Sequence, residues 1–262
     1  MPRKRIVYVH YHIYKNAGTT IDLILETNFG AALRFEAEDR NDSVHTGALL
    51  DVLHERPDVL YVSSHTLRPP RPLVAGYHFV DIVFLRHPID RFRSIYDFSR
   101  ANSATSDPAA IAARRFGLGD FAAWMADETP WNFFDPQTTF MGRSGDFFHP
   151  PTEEDLEIAK RRTLQVRFIG TVELFSESMR AANCYLRGVR PDIDLFPPVD
   201  PANVTVSRAQ SLEQRIRQVR EALGTSRFRR LEEALLCDFR LWEVATEEVK
   251  RRCRMCSGWV SR

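Results

Sequence analysis

The sequence predicts a single α/β domain in which strands come early, helices come late, and a central, mainly parallel sheet lies between helical layers. Two observations support this prediction. Runs rich in Val, Ile and Tyr alternate with segments whose apolar residues recur at helical spacing. At 262 residues the chain is long enough for one sizeable core, and it contains no internal repeat and no low-complexity tract. Residues 1–262 are therefore treated as one domain.

The composition excludes several classes of protein. Lys and Arg total 36 against 35 Asp and Glu, a net charge of +1 that argues against a dedicated duplex-DNA binder. No apolar run approaches the ~18 residues of a membrane-spanning helix. The basic start, Met1–Arg5, is not followed by the apolar stretch of a signal peptide. We therefore expect a cytoplasmic protein with no nucleic-acid partner and no membrane span, and the oligomeric state stays open.

The first predicted elements are a strand, a tight loop and a helix. The strand is expected at Ile6–Ile13 and the loop at Tyr14–Gly18, after which Ile21, Ile24 and Leu25 mark one face of a helix. A loop between a strand and a helix presents free backbone N–H groups at the positive end of the helix dipole. Such a loop suits an anionic ligand.

The next two strands are predicted at Val59–Ser63 and Asp81–Leu85. The Pro-rich stretch Leu67–Leu73 between them excludes regular structure. The later run is almost continuously apolar, as in strands buried in a parallel sheet. It delivers Arg86 at its end, and a helix with proline in its first turn is predicted at Pro88–Arg100.

Residues 101–150 are predicted to be an irregular insertion. They contain one plausible helix, Pro108–Arg115, and an aromatic-rich stretch, Trp131–Phe148. Regular structure is predicted to resume with a capped helix from Thr152 to about Thr163, a strand at Val166–Gly170, a helix at Ser176–Arg187 stopped by Gly188, a connector at Pro191–Asn203, and two C-terminal helices within 208–249.

The four cysteines are too few for a disulfide scaffold at this length. Cys253-Arg-Met-Cys256 is a single CxxC pair, whereas structural zinc normally needs a second pair of ligands. A redox or metal role stays open, but the pattern favours free thiols.

The strongest chemical signal is the segment His12-Ile-Tyr-Lys-Asn-Ala-Gly-Thr-Thr20. Lys15 adds a positive charge to the loop, Gly18 permits close approach, and Thr19 and Thr20 add hydroxyl donors. The Walker A pattern is absent, because that pattern places Lys immediately before Ser or Thr. The segment therefore predicts a phosphate-binding loop of a different kind, with an ordinary turn carrying a surface lysine as the alternative.

A second anion site is predicted in the segment Val83–Tyr96. Arg86 follows a buried strand, at the edge where open α/β sheets bind ligands. Ser94 lies two turns into the following helix. Together they would hold a phosphate, because arginine grips such a group with two hydrogen bonds. The alternative is a buried structural arginine beside an amphipathic helix.

Together these two segments resemble the cofactor signatures of the sulfotransferases that use 3′-phosphoadenosine 5′-phosphosulfate (PAPS). The closest branch contains the heparan sulfate 2-O- and other carbohydrate sulfotransferases. Weaker matches follow in the family's order over nearly the whole chain: Ser64-His65, Asp135–Gly142, Phe168–Ser178, Asn203–Ser207 and Cys237–Trp242. The sequence departs from the family's pattern at Tyr14 (usually Pro), Asn16 (usually Thr), His87 (commonly Asp) and Thr139 (often Arg).

The resemblance implies a P-loop-like fold and the transfer of a sulfuryl group from PAPS to a hydroxyl acceptor, a glycan or a small molecule. The product of the donor would be the desulfated nucleotide, PAP. His65 would be the catalytic base, and Lys15 would neutralise charge on the leaving 5′-phosphate, so that no metal is needed. The implied cofactor contacts are Lys15, Asn16, Ala17, Gly18, Thr19 and Thr20 at the 5′-phosphosulfate and Arg86 and Ser94 at the 3′-phosphate.

The nature of the acceptor is poorly determined by the sequence. The aromatic residues within Trp131–Phe148 would line a cleft, although core packing explains most of them equally well. Arg68, Arg71 and Arg143 would either attract an anionic acceptor or be solvated.

Two other classes of function stay open. His10-Tyr-His12 has the spacing found in metal-dependent hydrolases built as (β/α)₈ barrels, although eight strands cannot be counted. A non-catalytic nucleotide-binding module would keep the fold without turnover. Lys15 and His65 argue against it, since a pure binder needs no base. The position of the lysine also argues against a P-loop kinase.

Overall fold

The computed structural model describes residues 4–30, 32–36, 46–104, 106–145, 147–190, 193, 195 and 210–260. Within them the strands are β1 (Arg5–Tyr11), β2 (Leu33–Arg34), β3 (Tyr61–Ser64), β4 (Tyr77–Leu85) and β5 (Phe168–Thr171). The helices are α1 (Gly18–Phe29), α2 (Thr46–Glu55), α3 (Pro88–Ala101), α4 (Pro108–Arg115), α5 (Leu118–Glu128), α6 (Pro130–Phe133), α7 (Pro136–Gly142), α8 (Glu153–Gln165), α9 (Phe175–Val189), α10 (Leu212–Ala234) and α11 (Leu236–Val260).

The five strands form one sheet in the order β2-β3-β1-β4-β5, and every neighbouring pair is parallel. Side chains of β1 alternate between the two faces, as the period of a strand requires. Val7 and Val9 pack in a cluster with Leu241 of α11, whereas Tyr8 packs in another with Ile21 of α1. The predicted α/β fold with a central parallel sheet between helical layers is therefore confirmed. The alternative of an eight-stranded barrel is wrong, because the described residues form an open sheet of five strands.

A third core cluster packs residues of α4, α5 and α6, from the region predicted to be irregular, against residues of α3 and α10. Helix α4 has the predicted bounds, but α5, α6 and α7 were not predicted. The aromatic side chains explain the difference. Phe121 and Phe133 are buried in this cluster, and tertiary burial of this kind stabilises short helices that weak local propensities do not reveal.

Other predicted boundaries differ from the structure by a few residues. The capping boxes of α8 (Thr152 with Asp155) and α10 (Ser211 with Gln214) are present. Gly188 does not stop α9, which continues to Val189. Strand β2 and helix α2 were not predicted, and α11 extends beyond the predicted limit at residue 249. Most of the predicted connector Pro191–Asn203, and the whole of the segment Asn203–Ser207, lies outside the described residues.

The prediction that the CxxC pair carries free thiols is wrong for Cys256, which forms a disulfide with Cys184 between α11 and α9. Their Cα atoms lie 6.0 Å apart, a separation that a disulfide spans. Cys237 and Cys253 are not disulfide-bonded within the described part of the chain. The partners are 72 positions apart in the sequence, and only the packing of α9 against α11 brings them together.

No helix among the described residues combines the length and the apolar character that crossing a membrane requires.

Candidate functional site

Three neighbouring strands bring the predicted site segments to one edge of the sheet. Strand β1 pairs with β3 on one side and with β4 on the other, so the carboxyl ends of all three lie together. The β1 loop (Tyr14–Ala17) follows β1, His65 follows β3, and Arg86 follows β4. The chain places β2 and β3 on one side of β1 and then crosses to β4 on the other. Such a switch point is where open α/β sheets bind ligands.

Two arginines fix the β1 loop in an unusual conformation. Lys15 and Ala17 have left-handed backbones, with φ of 65° and 60°. Each such residue costs on the order of 1–3 kcal/mol and persists only where its surroundings hold it. Arg91 donates from Nε to the carbonyl of Tyr14 at 3.0 Å, and Arg86 donates from Nη1 to the carbonyl of Lys15 at 3.1 Å. The loop is thus pre-organised without a ligand.

The side chain of Asn16 fastens the same loop to the protein interior. Its Nδ2 donates to the carbonyl of Phe84 and to Oε1 of Gln137, both at 2.8 Å. Gln137 in turn donates to the carbonyl of Arg86 at 2.9 Å and to a carboxylate oxygen of Asp238 at 3.3 Å. The Asn16 side chain therefore faces the protein interior and positions the loop. Only the backbone of Asn16 remains for the predicted contact with an anionic ligand.

Lys15 carries a charge that no ion pair compensates within the described part of the chain. Its Nζ lies 3.9 Å from the centroid of the Phe98 ring. Burial, together with the nearby charges of Arg86 and Arg91, lowers the pKa of Lys15 to about 8. The lysine therefore stays mostly protonated at neutral pH without an ion-pair partner among the described residues, and the carboxylate of Asp97 acts on it only from a greater distance.

Arg86 and Arg215 share a single carboxylate. Arg86 contacts Oδ2 of Asp90 at 2.8 Å, and Arg215 contacts Oδ1 of the same residue at 2.6 Å. Asp90 thus supplies a carboxylate beside Arg86, and the group of two arginines and one aspartate keeps a net positive charge. Ser94 is buried in α3 and hydrogen-bonds neither to Arg86 nor to the β1 loop, so the structure does not join it to the other predicted residues.

The first turn of α1 contributes backbone donors and one constrained glycine. The N–H groups of Gly18 and Thr19 have no acceptor within their helix, and Thr19 is exposed, whereas Thr20 is buried and donates from its backbone to Ala17 at 3.0 Å. A Cβ atom on Gly18 would lie 1.8 Å from Nε2 of His12. Gly18 therefore makes room for an imidazole, a close approach that the sequence analysis had assigned to a ligand.

His65 is held in the tautomer that a general base needs. Its Nδ1 lies 2.7 Å from the carbonyl oxygen of His12, which only accepts, so Nδ1 carries the hydrogen and Nε2 keeps its lone pair. Partial burial and the neighbouring His12 lower the pKa of His65 below its usual value. The ring centroids of His12 and His65 are 4.0 Å apart, because Tyr11 and Ser64 are partners in the β1–β3 register and these histidines follow them.

A buried carboxylate that the sequence analysis missed lies beneath these rings. Asp22 of α1 accepts from Nδ1 of His10 at 2.6 Å, and its other oxygen lies 3.2 Å from Nδ1 of His12. Further donors to Asp22 are Ser63, Arg34 and Tyr61. Burial alone would raise the pKa of this carboxyl, but the hydrogen bonds from His10 and Arg34 and the close approach of His12 hold the pKa well below its usual range. The i, i+2 spacing of the two histidines was the available signal, since it puts both rings on one face of the strand.

Comparison with known proteins gives a relative without an assigned activity. No protein-family model matches the chain. An uncharacterized protein of Archaeoglobus fulgidus is 29% identical over 259 residues, which cover 94% of this chain and 98% of the relative. The similarity thus extends over nearly the whole length of both proteins.

Proposed function

We propose that the protein is a sulfotransferase that moves a sulfuryl group from PAPS to a hydroxyl acceptor such as a carbohydrate. The observation that supports this proposal most is the meeting of three groups at the ends of adjacent strands. These are the uncompensated cation of Lys15, the cationic pair of Arg86 and Arg215 around Asp90, and the imidazole of His65. Two cationic groups on one side and a neutral base on the other suit a donor with two phosphates and an acceptor hydroxyl.

The residues present fit an adenosine donor phosphorylated at both ends. The free N–H groups of Gly18 and Thr19 and the Nζ of Lys15 would bind the 5′ end. Arg86 would bind the 3′-phosphate, because its guanidinium lies next to the β1 loop and shares its only carboxylate with Arg215. PAPS supplies the sulfuryl group, and no other reactant is required.

The chain's residues have two tasks in the transfer. Nε2 of His65 takes the proton of the acceptor hydroxyl as the new S–O bond forms. Lys15 and the N–H groups of α1 bind the 5′-phosphate oxygen from which the sulfur departs, because negative charge develops there. The reaction resembles phosphoryl transfer, in which positioning and charge stabilisation provide most of the catalysis.

The test has two measurements on the same purified protein. Calorimetric titration should show PAP binding to the wild type. Transfer of radiolabelled sulfate from PAPS should be detected with some members of a panel of glycans, phenols and small alcohols. Lys15→Ala should lower the rate of transfer by about 10²-fold or more, whereas Lys250→Ala, which removes an exposed lysine on α11, should leave it unchanged. Absence of PAP binding would refute the proposal, and PAP binding without transfer to any acceptor would favour a non-catalytic nucleotide-binding module.

One observation favours a metal-dependent hydrolase as a second candidate. His10, His12 and Asp22 each offer a ligand atom, and these atoms lie within 4.8 Å of one another. However, Nδ1 of His10 is already 2.6 Å from Asp22, and Nη1 of Arg34 lies 2.5 Å from the other carboxylate oxygen. A metal ion would have to displace a guanidinium. Stoichiometric zinc in the purified protein, lost in His12→Ala, would favour this candidate over the first.

A further inference from the structure

Three of the four cysteines meet where α9 packs against α11. Cys184 of α9 and Cys256 of α11 form the disulfide, and Cys253 lies on α11 one turn before Cys256. Side chains at this spacing lie on the same face of a helix. Cys253 is not disulfide-bonded within the described part of the chain, so its thiol shares a helix face with the bridge. Cys237 lies near the start of α11, about 24 Å away along the helix axis, and belongs to another part of the molecule.

All three of these cysteines are partly exposed. None of Cys184, Cys253 and Cys256 belongs to the buried core. Exposed disulfides exchange with thiols more readily than buried ones, because the attacking thiolate must reach a sulfur atom of the bridge. The bridge is therefore open to attack, and the thiol that shares its helix face is that of Cys253.

The turn of α11 that carries Cys253 is also held by contacts other than the disulfide. Nη1 of Arg252 donates to the carbonyls of Val166 and Arg167, both at 2.8 Å. Val249, one turn before Cys253, is completely buried in the core. These contacts fasten α11 to the segment that enters β5. The end of α11 therefore stays beside α9 when the bond between Cys184 and Cys256 breaks.

Helix geometry decides which sulfur atom of the bridge Cys253 would attack. Cβ atoms at the spacing of Cys253 and Cys256 lie about 5–6 Å apart on a helix. A disulfide requires a distance of about 3.5–4.5 Å between its Cβ atoms. A bond between Cys253 and Cys256 would therefore distort α11. A bond between Cys253 and Cys184 would leave both helices intact and would join them about 4.5 Å closer to the start of α11.

We propose that the three cysteines form a thiol–disulfide exchange site in which the bridge to Cys184 moves between Cys256 and Cys253. The thiolate of Cys253 attacks Sγ of Cys184, a new S–S bond forms, and the bond between Cys184 and Cys256 breaks. Cys256 leaves as a thiolate and takes up the proton that Cys253 lost, so no oxidant or reductant is consumed. One thiol is thus always free near the end of α11. That thiol attacks a low-molecular-weight disulfide, forming a mixed disulfide and releasing one small thiol.

The sequence makes the position of the bridge measurable. Arg252 and Arg254 flank Cys253, so trypsin places Cys253 and Cys256 on different peptides. The native protein, purified without a reductant, is first labelled with a limiting amount of iodoacetamide. It is then unfolded and labelled to completion with an isotopically distinct iodoacetamide, so that no thiol remains to rearrange the bridge during digestion. Mass spectrometry of the peptides identifies which cysteine was free and which was bridged.

The wild type should carry the first label on both Cys253 and Cys256, together with peptides that join Cys184 to Cys253. Cys253→Ser should lose the label on Cys256, because the bridge then has no other position. Cys256→Ser should form the bridge between Cys184 and Cys253. Cys237→Ser is the matched control, since it removes another thiol of α11, and it should leave the wild-type pattern unchanged. Label on Cys253 alone in the wild type, or an unbridged Cys253 in Cys256→Ser, would overturn the inference.

The reaction with a small disulfide is tested with oxidised glutathione on the same proteins. The wild type should gain a glutathione adduct on Cys253 or Cys256, and Cys253→Ser should gain none on Cys184 or Cys256. No adduct on the wild type, or an equal adduct on Cys256 in Cys253→Ser, would overturn the role of Cys253. None of these measurements involves PAP, so the exchange site and the proposed sulfotransferase function stand or fail separately.

Discussion

The two sides of β1 compensate buried charge in opposite ways. On the β4 side, one carboxylate, that of Asp90, is shared by Arg86 and Arg215. On the β3 side, one carboxylate, that of Asp22, accepts from Arg34 and several neutral donors. The first arrangement leaves an excess of positive charge, whereas in the second Arg34 pairs with both Asp22 and Glu26 next to a group of imidazoles, which leaves no excess of positive charge.

This difference indicates that the two sides of β1 have different roles at the same edge of the sheet. Excess positive charge next to the β1 loop suits the binding of phosphates. The β3 side suits the acceptance of a proton by a neutral imidazole, because it has no excess of positive charge. An uncompensated cation next to the imidazole would lower the affinity of the imidazole for the proton. The four predictions below would break or sharpen this comparison.

The largest effect is expected from removing one group on each side. His65→Ala should lower kcat for sulfate transfer by about 10²-fold or more, because the base is lost, and should leave PAP affinity nearly unchanged. Lys15→Ala should lower kcat by a similar factor and should also weaken PAP binding. Steady-state kinetics with calorimetry, and His54→Ala as an exposed-histidine control, would check both. A kcat near the wild-type value in either variant would remove that residue from its role.

The β3 side should be the more important side for stability. Asp22→Asn should lower the free energy of unfolding by about 1.5–3 kcal/mol at pH 7, since hydrogen bonds to a buried charge are lost. The pKa of Asp22 is depressed in the folded protein, so its contribution is present above about pH 4 and is lost as the pH falls below that value. Urea denaturation at pH 7 and pH 3 should show a smaller difference from the wild type at the lower pH.

The two arginines on Asp90 should contribute unequally to nucleotide binding. Arg86→Ala should weaken PAP binding by about tenfold or more, because it removes a charged donor next to the β1 loop. Arg215→Ala should weaken it only a few-fold, by leaving Asp90 to neutralise Arg86 alone. Calorimetric titration of both variants would decide. A larger loss in Arg215→Ala would assign the 3′-phosphate to Arg215 instead.

The smallest effect on the rate is expected from a change of pH within the range between the pKa values of His65 and Lys15. The pKa of His65 is lowered from its usual value near 6.5, so the rate should fall only on acidification below that value. The pKa of Lys15 is about 8, so the rate should also fall above that pH as the lysine loses its charge. Lys15→Arg should move the alkaline limb to higher pH. A limb that stays near pH 8 in this variant would belong to another group.

Features of the site that depend on local chain order could be predicted from the sequence. Lys15 follows the first strand and Arg86 follows a buried apolar run, so each lies at a strand end whatever the rest of the chain does. Asp90 had a local signal as well, because it lies four residues after Arg86 at the start of a predicted helix.

Features that depend on distant contacts could not be predicted. Arg215 meets Asp90 across 125 positions, and Asp238 meets Gln137 across 101. No periodicity or motif links such positions before the helices pack. The requirement for glycine at position 18 could not be predicted either. The imidazole of His12, and not a ligand, occupies the space where a Cβ atom would lie.

The hydrogen bonds that hold the β1 loop in place have a consequence for the order in which the protein folds during synthesis. The β1 loop leaves the ribosome long before Asp238 of α11, which contacts Gln137. Non-local contacts of this kind form late, because the intervening chain must first be ordered. A nascent polypeptide halted before Arg215 would contain all five strands but only one of the two guanidiniums on Asp90. The hydrogen bonds that hold the β1 loop would therefore be complete only after α11 has been synthesised.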